Sequence, residues 1–221
     1  MVKFKLLSYN LSRDTLAYGG NKPVEIEGER SIKKGDTCNT FLVSMPNHIG
    51  THIETPRHFF ERGRALTQYN INKLIFRKPL AINCPKKKCE LITAQDIKRF
   101  SRQLARADMV IFKTGFGKIR SKKEYAIYNP GISPEVGYLF RAKFPNIRCI
   151  GIDSISVSCY QRRKLGREIH RLLLNKGVLI IEDMKLDFNL SSISKVIVAP
   201  LFIEKVDAAP CTVIGIFGER K

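Results

Sequence analysis

The most informative stretch of the chain is His48-Ile49-Gly50-Thr51-His52-Ile53-Glu54-Thr55-Pro56-Arg57-His58. Three of the four histidines in the sequence lie in this stretch, and the fourth is His170. Neutral imidazole and carboxylate groups are ligands that divalent metal ions accept. The crowding of three imidazoles around the carboxylate of Glu54 therefore indicates a metal site. A solvent-exposed loop that is rich in histidine by chance is the alternative.

The residue types between the histidines favour an extended or looped backbone. Pro46, Gly50 and Pro56 disfavour a helix through this stretch. In an extended backbone, residues of the same parity point to the same side, so positions 48, 52, 54 and 58 would share one side. Four such groups would be costly to desolvate without a metal ion between them. This cost supports the metal interpretation over chance.

A metal ion bound by these side chains needs a further ligand from elsewhere. His170 lies on a predicted helix beside Ile169 and Leu173, which suggests that its side chain faces inward. Glu182 follows an apolar strand, and strand ends are common places for functional groups. Each residue also has an ordinary explanation, because His170 could be a core residue and Glu182 a solvated strand end. Spacing alone does not decide between these possibilities.

The remaining sequence predicts one α/β domain over residues 1–221, because strands and helices alternate and no repeat or linker divides them. Strands are predicted at 3–9, 40–45, 79–83, 109–112, 149–152, 178–181, 196–199 and 212–217. Helices are predicted from Thr93 to about Arg106, from Ser133 to near Lys143, and from about Arg163 to Lys176. Gly177 is expected to end the last helix.

Composition narrows the class of protein. No apolar run is long enough to span a bilayer, and the N-terminus does not resemble a signal peptide, so we expect a cytoplasmic protein without membrane contact. The six cysteines are then expected to be reduced and mostly buried. The net charge of +19 favours anionic partners in general. Specific nucleic-acid binding is not expected, because the chain lacks Trp and any known reader motif.

The run from His48 to His58 resembles the signature H-x-G-T-H-x-D-x-P-x-H of the cyclase family of metal-dependent hydrolases, which includes bacterial kynurenine formamidases and isatin hydrolases. Further stretches that resemble family motifs are Lys113 to Phe116, Tyr128 to Ser133, Gly151 to Ser154, His170 to Leu173, and Asp207 to Pro210. The resemblance implies a single compact α/β domain of the swivelling β/β/α type. It also implies assembly as a homodimer or homotetramer.

The resemblance further implies roles for the candidate site residues. His48, His52 and Glu54 would bind a first metal ion, and Glu54, His170 and Glu182 a second. His58 would be the acid/base. One or two zinc ions are implied, with manganese as the alternative. Two positions depart from the family pattern: Glu54 replaces the aspartate of the signature, and Ser158 stands where many members have an aspartate.

The function implied by the resemblance is hydrolysis of a C–N bond in a small amide, formamide or lactam, as in arylformamidases. Metal-activated water would attack the carbonyl, and a carboxylate-bearing substrate would suit the basic chain. The sequence does not identify the substrate. The alternative is a metal-binding family member without catalytic activity that acts as a scaffold or sensor, an idea supported by the two departures at Glu54 and Ser158.

Overall fold

The computed structural model describes residues 1–218. In chain order, the strands in this range are β1 (Lys3–Leu6), β2 (Glu25–Arg30), β3 (Thr40–Ser44), β4 (His52–Glu54), β5 (Ile75–Phe76), β6 (Pro79–Asn83), β7 (Leu91–Ile92), β8 (Met109–Lys113), β9 (Gly131–Ile132), β10 (Cys149–Ile152), β11 (Leu179–Glu182), β12 (Ile193–Pro200) and β13 (Ala208–Phe217). The α-helices of the same range are α1 (Ala94–Ile97), α2 (Ser101–Leu104), α3 (Lys123–Ile127), α4 (Pro134–Lys143) and α5 (Arg163–Leu174).

One mixed sheet organises the fold, with the strand order β5-β12-β13-β4-β11-β10-β8-β6 and β1 paired to β13. Strands β6, β8, β10 and β11 are parallel, as in a β–α–β arrangement. Strand β4 lies between β11 and β13 and is antiparallel to both. Strands β2 and β3 form a separate ribbon, and β7 pairs with β9. The predicted α/β class is confirmed.

The main sheet has a hydrophobic core on each face. Along β8, Ile111 contributes to one core and Val110 to the other, as expected from the alternation of side chains along a strand. The second core includes Ile169 of α5 and Ile180 of β11. Ile53 belongs to the first core, so its neighbours on β4 point to the face that α5 covers. The candidate site therefore lies on the helix-covered face.

The helix predicted from Thr93 to Arg106 is wrong in detail, because a 3₁₀ segment at Lys98–Phe100 separates α1 from α2. The apolar residues of this segment that recur at helical spacing do form a stripe that faces inward, since Ile97 and Leu104 are fully buried. Such a stripe identifies the buried face but does not decide between i→i+4 and i→i+3 hydrogen bonds.

The other predicted elements differ mainly in their ends. The first strand ends at Leu6 rather than residue 9, and the last begins at Ala208 rather than residue 212. Helix α5 ends at Leu174, where the amide of Gly177 donates to its carbonyl oxygen and Gly177 has a φ of +72°. The six cysteines are free thiols, and four of them are buried. Within residues 1–218, no helix has the length and apolar character needed to cross a bilayer.

Candidate metal centre

Strand pairing brings His52 and Glu182 together. The antiparallel register of β4 and β11 places these two residues directly opposite each other, and Glu54 follows two positions later on the same face of β4. His52 Nε2 lies 3.5 Å from Glu182 Oε2 and 3.6 Å from Glu54 Oε1. All three side chains are buried. A short central strand thus supplies two candidate ligands, and its neighbour supplies a third.

Helix α5 adds His170 to this group. The chain reverses its direction at Gly177, between α5 and β11, and this brings His170 beside Glu182 at the end of β11. His170 Nε2 lies 3.3 Å from Glu54 Oε2 and 3.5 Å from Glu182 Oε1. The inward orientation expected for His170 is confirmed by its burial.

Backbone carbonyls hold the buried imidazoles in one tautomer. His52 Nδ1 donates to the carbonyl oxygen of Gly50 at 2.9 Å, and His170 Nδ1 donates to that of Gly166 at 2.8 Å. Because a carbonyl oxygen can only accept, each neutral ring carries its proton on Nδ1 and directs the Nε2 lone pair toward the glutamates. Gly50 has a φ of +59°, and a Cβ at this position would lie 2.5 Å from Leu11 Cδ2. A larger residue would therefore disturb the backbone that orients His52.

Within the described part of the chain, two buried polar atoms at the centre of the cluster have no hydrogen-bond partner: His52 Nε2 and Glu54 Oε2. Such atoms are rare in folded proteins, because each loses its hydration without compensation. Protein donors hold one oxygen of Glu182, since its Oε1 accepts from Ser156 Oγ at 2.8 Å and from the Val157 amide at 2.7 Å. A divalent cation would satisfy the two orphaned atoms at once, so the residues present fit a metal ion.

Asp207, the residue just before β13, joins the cluster, a role that the sequence did not suggest. Its Oδ2 accepts from His58 Nδ1 at 2.6 Å and from His48 Nε2 at 2.8 Å. The second nitrogen of each ring then faces Glu54 Oε1, at 3.0 Å from His48 Nδ1 and 3.8 Å from His58 Nε2. The stretch from Asp207 to Pro210 resembles a family motif, which was the one available signal.

The carboxylates favour positive charge at this point of the molecule. Burial lowers the pKa of His48, but hydrogen bonds to Asp207 and Glu54 outweigh it and raise the pKa to about 10. The pKa of His170 is also raised to about 10, because the charges of Glu54 and Glu182 outweigh burial. Burial raises the pKa of Glu54, yet the surrounding imidazoles hold it well below its usual value. Protons on the imidazoles and a bound cation would therefore compete for the same site.

Among residues 1–218, two sets of ligand atoms lie close enough to hold a cation, with all atoms of a set within 4.8 Å of one another. One set is His52, Glu54 and Glu182, and the other is His48, Glu54 and His58. Glu54 belongs to both sets, which group the other side chains differently from the two ligand sets implied by the family resemblance. His58 is thus near enough to Glu54 to serve either as a ligand or as the acid/base implied by the family resemblance.

The cluster forms the floor of a cavity of about 390 Å³. Apolar and aromatic side chains line one part of the wall, among them Leu16, Tyr18, Phe59, Ile155 and Tyr160. Ser158, one of the two departures from the family pattern, also lines it and lies 3.1 Å from His170 Nδ1. Two arginines of α5, Arg163 and Arg167, complete the wall.

The fold and the buried histidine–glutamate cluster together indicate an α/β protein with a candidate metal centre on one face of a mixed sheet. The Cyclase family model matches residues 6–158, which include the stretch from His48 to His58. The chain belongs to the Cyclase family, and the expected resemblance to its hydrolases is confirmed.

Individual relatives agree with this assignment. The chain is 25% identical to a kynurenine formamidase of Bacillus cereus over 205 residues, which is 92% of each chain. Its fold is similar to that of isatin hydrolase A from Labrenzia aggregata, with a TM-score of 0.84, 20% identity and coverage of 99% of this chain and 94% of the other. A solved structure described as a potential metal-dependent hydrolase with cyclase activity matches with a TM-score of 0.76 and 23% identity over the full length of both chains. The cyclase-like fold expected from the sequence is confirmed.

Proposed function

We propose that this protein is a metal-dependent hydrolase that cleaves a C–N bond in a small amide, formamide or lactam. The observation that carries the proposal is the pair of orphaned buried atoms, His52 Nε2 and Glu54 Oε2, at the floor of a cavity. The names of the relatives support the reaction class, since one is a kynurenine formamidase and another an isatin hydrolase.

The proposed ligands are His48, His52 and Glu54 for one ion and Glu54, His170 and Glu182 for a second. His52 and His170 would bind through Nε2, because their Nδ1 atoms donate to backbone carbonyls. His48 would bind through Nδ1, because its Nε2 donates to Asp207. Imidazole and carboxylate ligands suit zinc, with manganese as the alternative. When bound, such an ion lowers the pKa of a water molecule and polarises the substrate carbonyl.

His58 is the proposed acid/base. Asp207 accepts from its Nδ1, so the neutral ring presents the unprotonated Nε2 to the cluster side. That nitrogen can take a proton from the attacking water and return it to the leaving nitrogen. The nearby carboxylate of Asp207 would stabilise the imidazolium between these two transfers. The arrangement has the form of a base with an orienting carboxylate behind it.

The proposal is tested on the full chain purified without chelator. We expect on the order of one to two divalent ions per chain and turnover of formanilides or lactams with added zinc or manganese. His52→Ala should lose metal. His58→Ala should keep its metal and lose at least about 100-fold in kcat.

Each outcome separates one part of the proposal. Loss of metal in His58→Ala would make His58 a ligand and overturn its role as acid/base. Full metal occupancy without turnover of any amide, lactam or ester would contradict the hydrolase. That result would favour the inactive scaffold or sensor.

A further inference from the structure

We propose that Arg163 and Arg167 form an anion-binding pair that selects substrates with a negatively charged group several bonds from the scissile carbonyl. The identity of the cleaved bond is taken from the proposed function above. The selection itself rests on the cavity wall and on the electrostatics of α5.

Both arginines share a helical face with His170. Residues 163, 167 and 170 are separated by four and three positions, a spacing that places them along one stripe of α5, and all three line the cavity. With a rise of about 1.5 Å per residue, Arg167 lies about 5 Å and Arg163 about 10 Å along the helix axis from His170. A charged group bound by them would lie well away from a carbonyl held at the metal cluster.

Neither guanidinium is neutralised by the protein. Among residues 1–218, no acidic side chain forms a hydrogen bond or ion pair with Arg163 or Arg167. The carboxylates that line the cavity, Glu54 and Glu182, face the imidazoles instead. The far end of the cavity therefore presents positive charge to a ligand. An arginine can bind a carboxylate through two parallel hydrogen bonds.

The start of α5 is unusual for a helix. Its first turn contains no acidic residue, its N-cap is Arg162, and no side chain caps it. Cations at this end oppose the helix dipole, so their placement does not favour folding. The same positive end attracts an anion. Residues that do not favour the local structure are often found at functional sites. Binding of an anionic ligand would explain why these arginines lie at the start of α5.

Aromatic side chains define the rest of the binding surface. Arg163 Cζ lies 4.3 Å from the centre of the Tyr160 ring, which helps to hold its side chain in place, and the Tyr160 ring meets the Tyr18 ring edge-on at 5.0 Å. Phe59 stacks on His170 with ring centres 5.1 Å apart. These rings make this part of the cavity wall aromatic and partly apolar. The preferred substrate class is accordingly an aromatic amide or lactam with a distal carboxylate.

The test compares two substrates of equal chemistry and different charge, formanilide and 4-formamidobenzoate, with the metal-loaded enzyme. We expect the ratio of kcat/KM values, anionic over neutral, to fall about 10- to 100-fold in Arg167→Gln and in Arg163→Gln, as for loss of a charged hydrogen bond. Arg171→Gln is the matched control, because it removes the same charge from an exposed position of α5 that does not line the cavity. Its ratio should not change. Thermal unfolding of each variant checks that α5 is intact.

A binding measurement separates failure of this inference from failure of the proposed function. Calorimetric titration with 4-aminobenzoate should show binding to the wild type and at least about 10-fold weaker binding to the Arg163→Gln/Arg167→Gln variant. An unchanged substrate ratio, or equal binding in both proteins, would overturn the anion-binding pair. If neither substrate is turned over but 4-aminobenzoate still binds through the arginines, the hydrolase proposal fails and the anion site stands.

Discussion

Asp207 holds two imidazoles through one oxygen atom, at 2.6 Å from His58 Nδ1 and 2.8 Å from His48 Nε2. These hydrogen bonds hold the pKa of the Asp207 carboxyl far below its usual value. They also fix which nitrogen of each ring faces Glu54. A carboxylate behind a histidine ligand orients the ring and strengthens it as a ligand. Asp207 thus connects the proposed metal site with the proposed acid/base.

The first prediction is that Asp207→Asn weakens both functions. The amide keeps the size of the side chain but removes the charge, so that His58 loses the group that would stabilise its protonated form. We expect metal affinity to fall about 10- to 100-fold and kcat to fall on the order of 100-fold. Metal titration and steady-state kinetics measure the two effects separately. Asp187→Asn, a change at an exposed aspartate, is the control. Unchanged kcat in Asp207→Asn would contradict the proposed role of Asp207 in stabilising the protonated form of His58.

At the residue scale, local patterns in the sequence predicted that His52 and Glu54 share one side. They did not predict the contacts made by residues far apart in the chain. The shared side of His52 and Glu54 follows from the alternation of a strand, which a local pattern can indicate. The contact between Asp207 and His58 spans 149 positions in the chain and depends on how β13 pairs with β4. No local periodicity contains that information. The same holds for the meeting of His170 with Glu54, which the family resemblance implied and spacing did not.

Among the secondary-structure elements, the contact of α5 with the segment before it positions His170. A Cβ added at Gly166 would lie 2.6 Å from Ser158 Cβ, and the Gly166 carbonyl accepts from His170 Nδ1. Helix α5 can approach this closely only because residue 166 has no side chain. The approach sets the position of His170 relative to the glutamates.

The second prediction concerns Gly166→Ala. In an exposed helix this change stabilises by about 1 kcal/mol, because alanine favours the helix. Here the added methyl group must displace Ser158 or the helix, so we expect the free energy of unfolding to fall by about 1–3 kcal/mol. Metal binding should weaken as well, since His170 moves with the helix. Urea unfolding and metal titration test this, with Lys164→Ala at an exposed position of α5 as control. A more stable Gly166→Ala variant would contradict the close contact.

The third prediction concerns Asp96, the third residue of α1, whose side chain accepts a hydrogen bond from the amide of the N-cap residue Thr93. Its Oδ2 accepts from the Thr93 amide at 2.7 Å and from Lys86 Nζ at 2.8 Å. Burial raises the pKa of this carboxyl, but the hydrogen bonds from Lys86 and Thr93 outweigh it and lower the pKa. We expect Asp96→Ala to reduce the free energy of unfolding by about 1 kcal/mol at neutral pH.

The pH dependence of this effect follows from the direction of the pKa shift. A carboxyl with a lowered pKa in the folded state stabilises fully above its unfolded pKa of about 3.9 and loses that contribution as the pH falls through the folded pKa. The difference between wild type and Asp96→Ala should therefore shrink below about pH 4. Asp96→Asn keeps an acceptor for the Thr93 amide, so its free energy of unfolding should lie between those of the wild type and Asp96→Ala. A difference that grows toward acid pH would be inconsistent with this cap.

At the scale of the whole molecule, the main sheet joins strands from near both ends of the described chain, and the cluster lies where β4, β11 and β13 adjoin. Apolar runs predicted most strands of this sheet, because buried parallel strands are apolar along their whole length. Strand β4 escaped prediction as a strand, since it has only three residues and two of them are polar. The net charge of +19 is spread over the chain, and its field should draw anionic substrates toward the cavity.

The last prediction is that the protein forms a homodimer or homotetramer. Strand β3 exposes three consecutive apolar residues, Phe41, Leu42 and Val43, with 63%, 53% and 49% of their surface accessible. Such runs favour association, because burial against a partner removes apolar surface from water. Sedimentation velocity should give two or four times the chain mass of 25.2 kDa. The variant Phe41→Ser/Val43→Ser should shift the population toward monomer. Ile71→Ser, at a similarly exposed apolar residue elsewhere, should not. A wild-type protein that sediments as a monomer at micromolar concentration would refute the prediction.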